Sequence, residues 1–501
     1  MSFLGIDVGT TGCKTCAFSQ DGTLLASAYR EYDYSVPRPG WAELDARAVW
    51  HEIKDCIAQV SAACARDPIS ALAVSSLGEA TVPVSREREI LGPSLLNFDE
   101  RGAEFLDELA ARLDDGRLYR INGNTLGNHY GLTKLLWRQA HQPELWNRTH
   151  KFLLWGGFVS YMLGAEAFTD YSLANRTLLF DVNAQAWSDE LLAWAGIDPS
   201  KLPDTVPSGT VIGRVSASIG HELGLSPSVA IVTGAHDQCS NAVGAGVLGP
   251  GDALLGMGTF LCAAPVFERR REPEAMLPHG LNTEHHAVPG RFITFIYNQG
   301  GSLLKWYRDT FAAPEHRAAQ EAGESVYPRL LAEMPDGPAN VTVLPHFTTT
   351  GPPEFVSGSS GVMAGLRLET KRGEILRGIL EGTVFYLREC LERAHSAGID
   401  VTRFSAVGGG SKSETWLQMT ADILKTPLVR PKQTEAGALG AAMLAAVGTS
   451  AFASLEEAVE AMVTPGRAFE PLPEVSERYE SHFERYKMLW PLMREYLQGR
   501  P

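Results

Sequence analysis

Gly5-Ile6-Asp7-Val8-Gly9-Thr10-Thr11 is the stretch whose reading decides the fold. An apolar strand, Phe3 to Asp7, runs into a tight turn, and Cys13 to Phe18 returns as a second strand. A glycine at the tip of such a turn, Gly9, exposes successive backbone N–H groups that can cradle phosphate oxygens. Thr10 and Thr11 add hydroxyl donors and Lys14 a positive charge. Asp7, at the strand end, can face a bound Mg2+ through water, because Mg2+ keeps several waters. The same residues also read as a plain β-hairpin with an Asp at its turn. They are not a Walker A loop, since no Gly-Lys-Ser/Thr follows and no helix opens there.

Working outward, Asp21-Gly22 is a two-residue hairpin signal leading to a third strand, Thr23 to Tyr29. Trp41 to Ala65 carries a helical pattern and Ile69 to Ser75 a strand. Leu135-Leu136-Trp137, Phe152-Leu153-Leu154-Trp155 and Leu191-Leu192-Ala193-Trp194 predict a mostly helical second lobe. Val229 to Thr233 returns as a strand after the breaker Pro227. Ala253-Leu254-Leu255-Gly256-Met257-Gly258-Thr259-Phe260 then echoes the opening pattern of apolar strand, Gly-x turn and strand. Phe404 to Val407 is a strand running into Gly408-Gly409-Gly410. The last 50 residues read as helical, with Trp490, Leu492 and Met493 docking on the body. The Gly/Pro-rich segment Gly244 to Gly251 separates two similar halves, 1–246 and 247–501.

With 501 residues the chain is too long for one compact core, so two large domains are expected. At 44% hydrophobic and 21% charged it has an ordinary globular composition. A net charge of −15 without a long Lys/Arg stripe argues against a nucleic-acid or anionic-membrane surface. No stretch approaches the roughly 20 apolar residues that span a bilayer, and the alanine-rich run Ala436 to Val447 reads as a short, close-packed buried helix. The start, Met1 to Asp7, lacks a basic n-region, and seven cysteines are too sparse for a disulfide framework. Both point to the cytoplasm. Cys13 and Cys16 have redox-motif spacing but sit on a strand, where positions three apart face opposite sides.

Three further turns could carry chemistry. Gly234-Ala235-His236-Asp237-Gln238 follows a strand and opens a helix running to about Val243. Read locally, Asp237 is open to two roles: a helix N-cap, or a cleft carboxylate that accepts a hydroxyl proton during in-line phosphoryl transfer. Gly408-Gly409-Gly410-Ser411-Lys412-Ser413 joins a strand to a helix, Glu414 to Leu424, where glycines let a flat ligand approach the backbone. Tyr297-Asn298-Gln299-Gly300-Gly301-Ser302 is a second turn of that kind. No His/Cys/Glu cluster has zinc spacing and no Gly-x-Ser-x-Gly elbow occurs, which leaves a hydrolase or metalloenzyme without support.

Taken in order, these runs resemble the FGGY family of carbohydrate kinases. The matching pieces are Gly5 to Thr11, Gly40-Trp41-Ala42-Glu43 with Asp45, Lys134-Leu135-Leu136-Trp137, and Thr169-Asp170 with Phe180-Asp181. Gly234 to Gln238, Gly256-Met257-Gly258-Thr259, and Gly361 to Leu366 with Leu380-Glu381-Gly382 follow. Gly408-Gly409-Gly410 and Glu435-Ala436-Gly437-Ala438-Leu439-Gly440-Ala441-Ala442 complete the set. Gly378 stands where the family signature usually has Ala or Ser. The resemblance implies an α/β fold of two actin/hexokinase (ribonuclease H-like) domains closing over a cleft. It implies ATP and Mg2+ at Asp7, Gly9, Thr10, Thr11 and Lys14, a second phosphate loop at Gly258 and Thr259, with Gly301 beside it, and adenosine at Gly409 and Gly410, with Ser413 beyond. Asp237 matches the family's catalytic base, and possible homodimers follow by analogy.

The substrate end is implied by Gly78, Glu79, Asp99, His129, Asp237 and Gln238. Glu79 matches a glycerol-kinase Glu, but Gly78 replaces the Arg before it. Asp99, in Phe98-Asp99-Glu100-Arg101, resembles the Asp-Gly-Arg run of ketose kinases, and His129 falls near a substrate-facing tyrosine of glycerol kinases. A Glu79 and Asp99 pair would suit a polyhydroxy chain. The expected acceptor is a small sugar, a ketose such as xylulose, with glycerol or a tetritol as the alternative. A non-catalytic ATP-binding sugar sensor of the same fold is the rival from another class.

Overall fold

A computed structural model describes residues 1–351, Val356 and 359–498. The opening meander forms as expected: Ser2–Val8 and Gly12–Ser19 pair antiparallel, and Leu24–Glu31 joins the latter's free edge. Gly22, at φ +76°, makes the turn between the second and third strands. The strand Ile69–Ser76 then pairs parallel to Ser2–Val8, and Ala230–His236 pairs parallel to Ile69–Ser76. Val211–Arg214 closes the far edge, giving a six-stranded sheet.

The second half repeats the plan. Gly251–Met257 pairs antiparallel with Phe260–Phe267, which takes Ile296–Gln299 on its other side. Val401–Val407 runs parallel to Gly251–Met257, and Leu428–Arg430 runs parallel to that. The chain is therefore an α/β protein built on two sheets of the same order, an antiparallel hairpin flanked by parallel strands. This is why the weak echo of the first turn in the second half carried real information.

Local details differ from the sequence reading where a cap or a burial pattern intervenes. The helix expected from Trp41 begins only at Ala46, because Asp45 caps it by accepting from the N–H groups of Arg47 and Ala48. Phe152-Leu153-Leu154 is not helical: Lys151–Leu154 is a strand paired with Thr81–Val84, and the helix starts at Trp155. Its unbroken apolar run is what a strand covered on both faces looks like, and periodicity cannot distinguish it from a helix. In the last 50 residues a short strand, Arg467–Phe469, precedes the helix Pro473–Gln498. Trp490 and Met493 pack on the core of the second half, but Leu492 is exposed. Cys13 and Cys16 face separate apolar clusters, as strand alternation requires, and all seven cysteines are free. No described helix is long and apolar enough to cross a membrane.

The halves meet through two helices packed backbone to backbone. The helix Ala436–Gly448, buried from Ala436 to Ala446, lies across the first sheet and against the helix Asp237–Gly244. A Cβ at Gly5 would come within 1.7 Å of the Ala438 carbonyl oxygen, one at Gly244 within 1.9 Å of Ala436 O, and one at Gly440 within 2.0 Å of Ser240 O. Only hydrogen fits at these three contacts. One apolar cluster draws on both sheets around them, from Phe3 and Val232 to Leu254 and Leu439. Gly378 has the same explanation: a Cβ there would sit 2.5 Å from Val341 O, so the usual Ala or Ser could not be accommodated without a shift.

Gly440→Ala forces the two helices apart and should lower stability by the upper end of about 1–3 kcal/mol for an overpacked core. Its urea midpoint should fall clearly, whereas Gly249→Ala, a position with open space around it, should unfold like the wild type.

Candidate active site

Parallel pairing brings the chemistry together. Val8 and His236 both stand in register with Ser76, so the turns after these strands leave the sheet at one edge. Those turns carry Gly9 to Thr11, Gly78-Glu79 and Asp237-Gln238. In the second sheet Gly256 is in register with Val407, which sets Gly258-Thr259 beside Gly408 to Gly410. Ligands of open α/β sheets bind outside the carboxyl ends of parallel strands, and all these residues lie at such ends.

In the first loop Asp7 is half-buried, and Ser75 Oγ donates to its Oδ1 at 2.7 Å. Burial raises its pKa, offset by Ser75 and Lys14. Lys14, in register with Asp7, reaches Glu435 Oε2 at 2.6 Å. Glu435 precedes the helix Ala436–Gly448, so this ion pair joins the two halves at the loop. Gly9 departs from the expected role: its N–H donates to Gly12 O at 2.9 Å, so it shapes the turn and is not free for phosphate. Thr10 is half-buried and Thr11 exposed.

The second loop is held from beneath. Gly301 N–H donates to Gly258 O at 2.9 Å, and the N–H groups of Gly300 and Ser302 both donate to Thr259 O at 3.1 Å. Gly301 is thus a support of the loop and its N–H has no capacity left for a nucleotide. Gly408, at φ +91°, passes 2.9 Å (by its Cβ position) from Met257 O, and Gly410 packs against Trp416. Gly409 faces open space, as a surface for a flat ligand would. Ser413 Oγ accepts from the Trp416 N–H at 3.2 Å, so it is a helix cap rather than a nucleotide contact.

Asp237 is the first residue of its helix; His236 is the cap residue, and no side chain caps that end. Asp237 therefore stands one residue inside the cap position, and its carboxylate draws on the Gln238 backbone N–H. Its Oδ1 has no hydrogen-bond partner, although His236 Nε2 stands 3.2 Å away. Burial, then the nearby Asp7 and Glu79 carboxylates, push its pKa up to about 7. The side chain keeps 30% of its surface exposed, so the carboxylate is neither solvated freely nor sealed. His236 is held neutral by burial, its pKa lowered to about 3, and its backbone N–H donates to Ser172 Oγ at 2.9 Å. Ser172 in turn bonds Asp170, which caps the helix Tyr171–Asn175. The Thr169-Asp170 run thus braces the turn that carries Asp237. Gln238 points toward the second sheet, with Oε1 3.9 Å from where a Cβ at Gly256 would lie.

At the sugar end the structure separates two residues that the sequence pairs. Glu79 is 6% exposed, and its Oε1 accepts from Arg176 Nε at 2.7 Å. It acts electrostatically on His129, His236 and Asp237, so these share one site. Gly78 lies under that site: a Cβ there would stand 3.1 Å from His236 Nε2. Burial holds half-exposed His129 neutral, its pKa near 4. Asp99 is elsewhere in role. It is 0% exposed, and Arg101 donates to both its oxygens, Nε to Oδ1 at 2.9 Å and Nη2 to Oδ2 at 2.6 Å, while the Ala42 N–H takes Oδ2 at 2.6 Å. Arg101 also reaches Glu43 at 2.7 Å and stacks 3.9 Å over Trp41. Lys134 Nζ donates to the carbonyls of Asp99, Arg101 and Asn128. The Gly40 to Glu43, Asp99 and Lys134 runs are one structural node, and Asp99 is not a sugar ligand.

Sequence reasoning missed Arg176 and Glu284, where Arg176 donates to both Glu79 and Glu284, and Glu435 as the partner of Lys14. Arg176 lies between the Thr169-Asp170 and Phe180-Asp181 runs, which were the available signal. Glu284 had none.

Removing one partner of a buried ion pair costs about 3–5 kcal/mol. Asp99→Ala should therefore lower the urea midpoint sharply, while the KM for sugar of the protein that remains folded should stay within about twofold of the wild type.

With this geometry, comparison with known proteins is direct. The chain is 28% identical to the xylulose kinase of Bacillus subtilis (strain 168), with 97% of this chain and 96% of that protein covered. It is 24% identical to the gluconokinase of the same organism, covering 95% and 93%. The crystal structure of xylulose kinase from Rhodospirillum rubrum superposes with a TM-score of 0.88 at 26% identity, covering 99% of this chain and 100% of that one. Residues 2–244 match the FGGY family of carbohydrate kinases, N-terminal domain, and residues 272–449 match its C-terminal domain. The chain belongs to the FGGY family of carbohydrate kinases and is an ATP-dependent sugar kinase.

Proposed function

We propose that this kinase phosphorylates a hydroxyl of a small ketose, with xylulose the leading acceptor, and that Asp237 is its base. The observation that carries the reading is the Asp237 carboxylate at the strand edge it shares with the first glycine turn, with an unpartnered buried oxygen. A base must reach the proton it takes and have a pKa near the working pH. Asp237, raised to about 7 by burial and by Asp7 and Glu79, meets the second condition. The division into 1–246 and 247–501 puts the Gly9 turn and Asp237 in one half and the Gly258 and Gly408 turns in the other, and closure of the halves would exclude water that would otherwise hydrolyse ATP.

Asp7 fits Mg2+: it is a hard oxygen ligand whose burial disfavours its charge, a cost that a cation relieves. Among the described residues no group of three or more His, Cys, Asp or Glu could hold a metal. Asp7 would thus anchor the ion with phosphate and water as its remaining ligands, and the ion would supply charge neutralisation at the phosphates. Thr10, Thr11, Gly258 and Thr259 would orient the phosphate chain, and Gly409 and Gly410 the adenosine. Lys14, held by Glu435, places its positive charge beside them. Asp237 would accept the hydroxyl proton as the oxygen attacks in line, so positioning and charge stabilisation supply the acceleration. Glu79, with His129, Gly78 and Gln238, would orient the carbon chain. Glycerol or a tetritol is the second reading, favoured by Glu79, but Gly78 lacks the side chain that pairing would need.

A coupled ADP-release assay over ketoses and polyols tests the acceptor: turnover should be highest with a ketopentose, and a clear preference for glycerol would transfer the assignment to the second reading. Because the base form of Asp237 exists only above its pKa, kcat/KM should rise with pH along an acid limb near pH 7. Asp237→Asn should lose about three orders of magnitude in kcat, within the range of general-base catalysis, and abolish that limb while MgATP still binds. A retained limb would take Asp237 out of the role. The same substitution should stabilise the fold. The raised folded pKa makes ionisation cost stability progressively as pH rises from the unfolded value through about 7. The gain in urea midpoint should therefore be larger at pH 8 than at pH 5.

A further inference from the structure

Arg176 holds two carboxylates that come from opposite halves of the chain. Its Nε and Nη2 donate to Glu79 Oε1, and its Nη1 donates to Glu284 Oε1. Glu79 follows the strand Ile69–Ser76 of the first sheet, while Glu284 lies on the strand Glu284–His285 of the second. Asn282 Nδ2 supports Glu284 at 2.6 Å, and the guanidinium lies 5.0 Å from the Tyr130 ring. We propose that Glu79 and Glu284, bridged by Arg176, form the recognition end of the sugar site and select an uncharged polyhydroxy chain over a sugar acid.

One guanidinium faces two carboxylates, Glu79, held ionised, and Glu284, whose pKa burial pushes up to about 7, and Asp237 stands beside them, so near pH 7 this end carries no net positive charge. Besides Arg176, the cation that acts on His129 is Lys134, whose ammonium already donates to three carbonyls. His129 and His236 are neutral near pH 7, their pKa values lowered by burial. No imidazolium therefore compensates. Hydroxyl hydrogens find acceptors in Glu79, whereas the carboxylate of an aldonate would enter beside like charges with no unpaired cation to meet it. Gly78 is buried, and a Cβ there would lie 3.1 Å from His236 Nε2 and 3.5 Å from Arg176 Nε, so the backbone beneath this end packs directly on those two side chains. Selection would thus work partly by repulsion.

This inference rests on the sugar-kinase reading for its substrate, and the test separates the two. Wild-type protein and Glu284→Gln are assayed for ADP release and, independently, for sugar binding by calorimetry, with neutral ketopentoses and with D-gluconate. The wild type should favour the ketopentose by about a hundredfold in kcat/KM, the scale of a like-charge penalty. Glu284→Gln removes one negative charge and should shift that ratio toward gluconate by about tenfold, with MgATP affinity unchanged. Glu284→Asp should restore the wild-type ratio. Gluconate binding as tightly as ketopentose, or a ratio unmoved in Glu284→Gln, would overturn the proposal. Should Glu284→Gln fail to fold, the wild-type binding comparison decides. Ketopentose binding without any ADP release would remove the kinase reading and leave the selectivity standing.

Discussion

The contact of the first strand with the helix Ala436–Gly448 is the constraint on which the site depends. Gly5 meets the Ala438 carbonyl and Gly440 meets the Ser240 carbonyl with no room for a methyl group between them. This approach draws a helix from the end of the chain onto the sheet formed by its beginning. It brings Glu435 to Lys14 and Gly437 to Asp7, where a Cβ would lie 3.0 Å from Oδ2. The glycines contribute little favourable burial of their own. Their part is to let two backbones share a plane of contact, so that the surrounding apolar cluster closes over both halves.

Against that rigid floor the cleft gathers carboxylates. Asp7 and Glu79 act on Asp237, and Glu79 acts on Glu284, while burial makes each charge harder to hold. Arg176 and Lys14 offset part of this, with Arg176 keeping Glu79 ionised and its pKa low. The imbalance has a use. A carboxylate that is crowded but not neutralised has its pKa carried toward neutrality, which is the condition a base for a sugar hydroxyl needs. An active site of this kind is held together by its periphery. The buried node of Asp99, Arg101, Trp41 and Lys134 carries no chemistry, yet it fixes the Asn128 carbonyl next to His129.

Much of this was legible in the residues. The meander around Gly5 to Thr11 and the glycine turns at 258 and 408 were read in place, because turn residues and apolar runs are local signals, and the strand before Asp237 was found but ended at Thr233, whereas it runs on to His236. The buried strand Lys151–Leu154 was not, since an apolar run covered on both faces has no periodicity to read. Asp99 was misread for a different reason. An Asp beside an Arg can face a ligand or a neighbour, and the choice rests on Arg101 having Trp41 to stack on and Glu43 to pair with.

The sequence by itself determined the repeated strand–turn–strand plan and the residue types at its tips, since hydrogen-bonding turns and alternating burial depend on near neighbours in the chain. Only the tertiary structure decided which tips share a cleft and which carboxylates are spoken for. Glu79, Arg176 and Glu284 are separated by about a hundred residues each, and nothing local marks Glu284 as their partner. Ion pairing and pKa depend on distance through space and on burial, and both are set by how the two sheets close on each other.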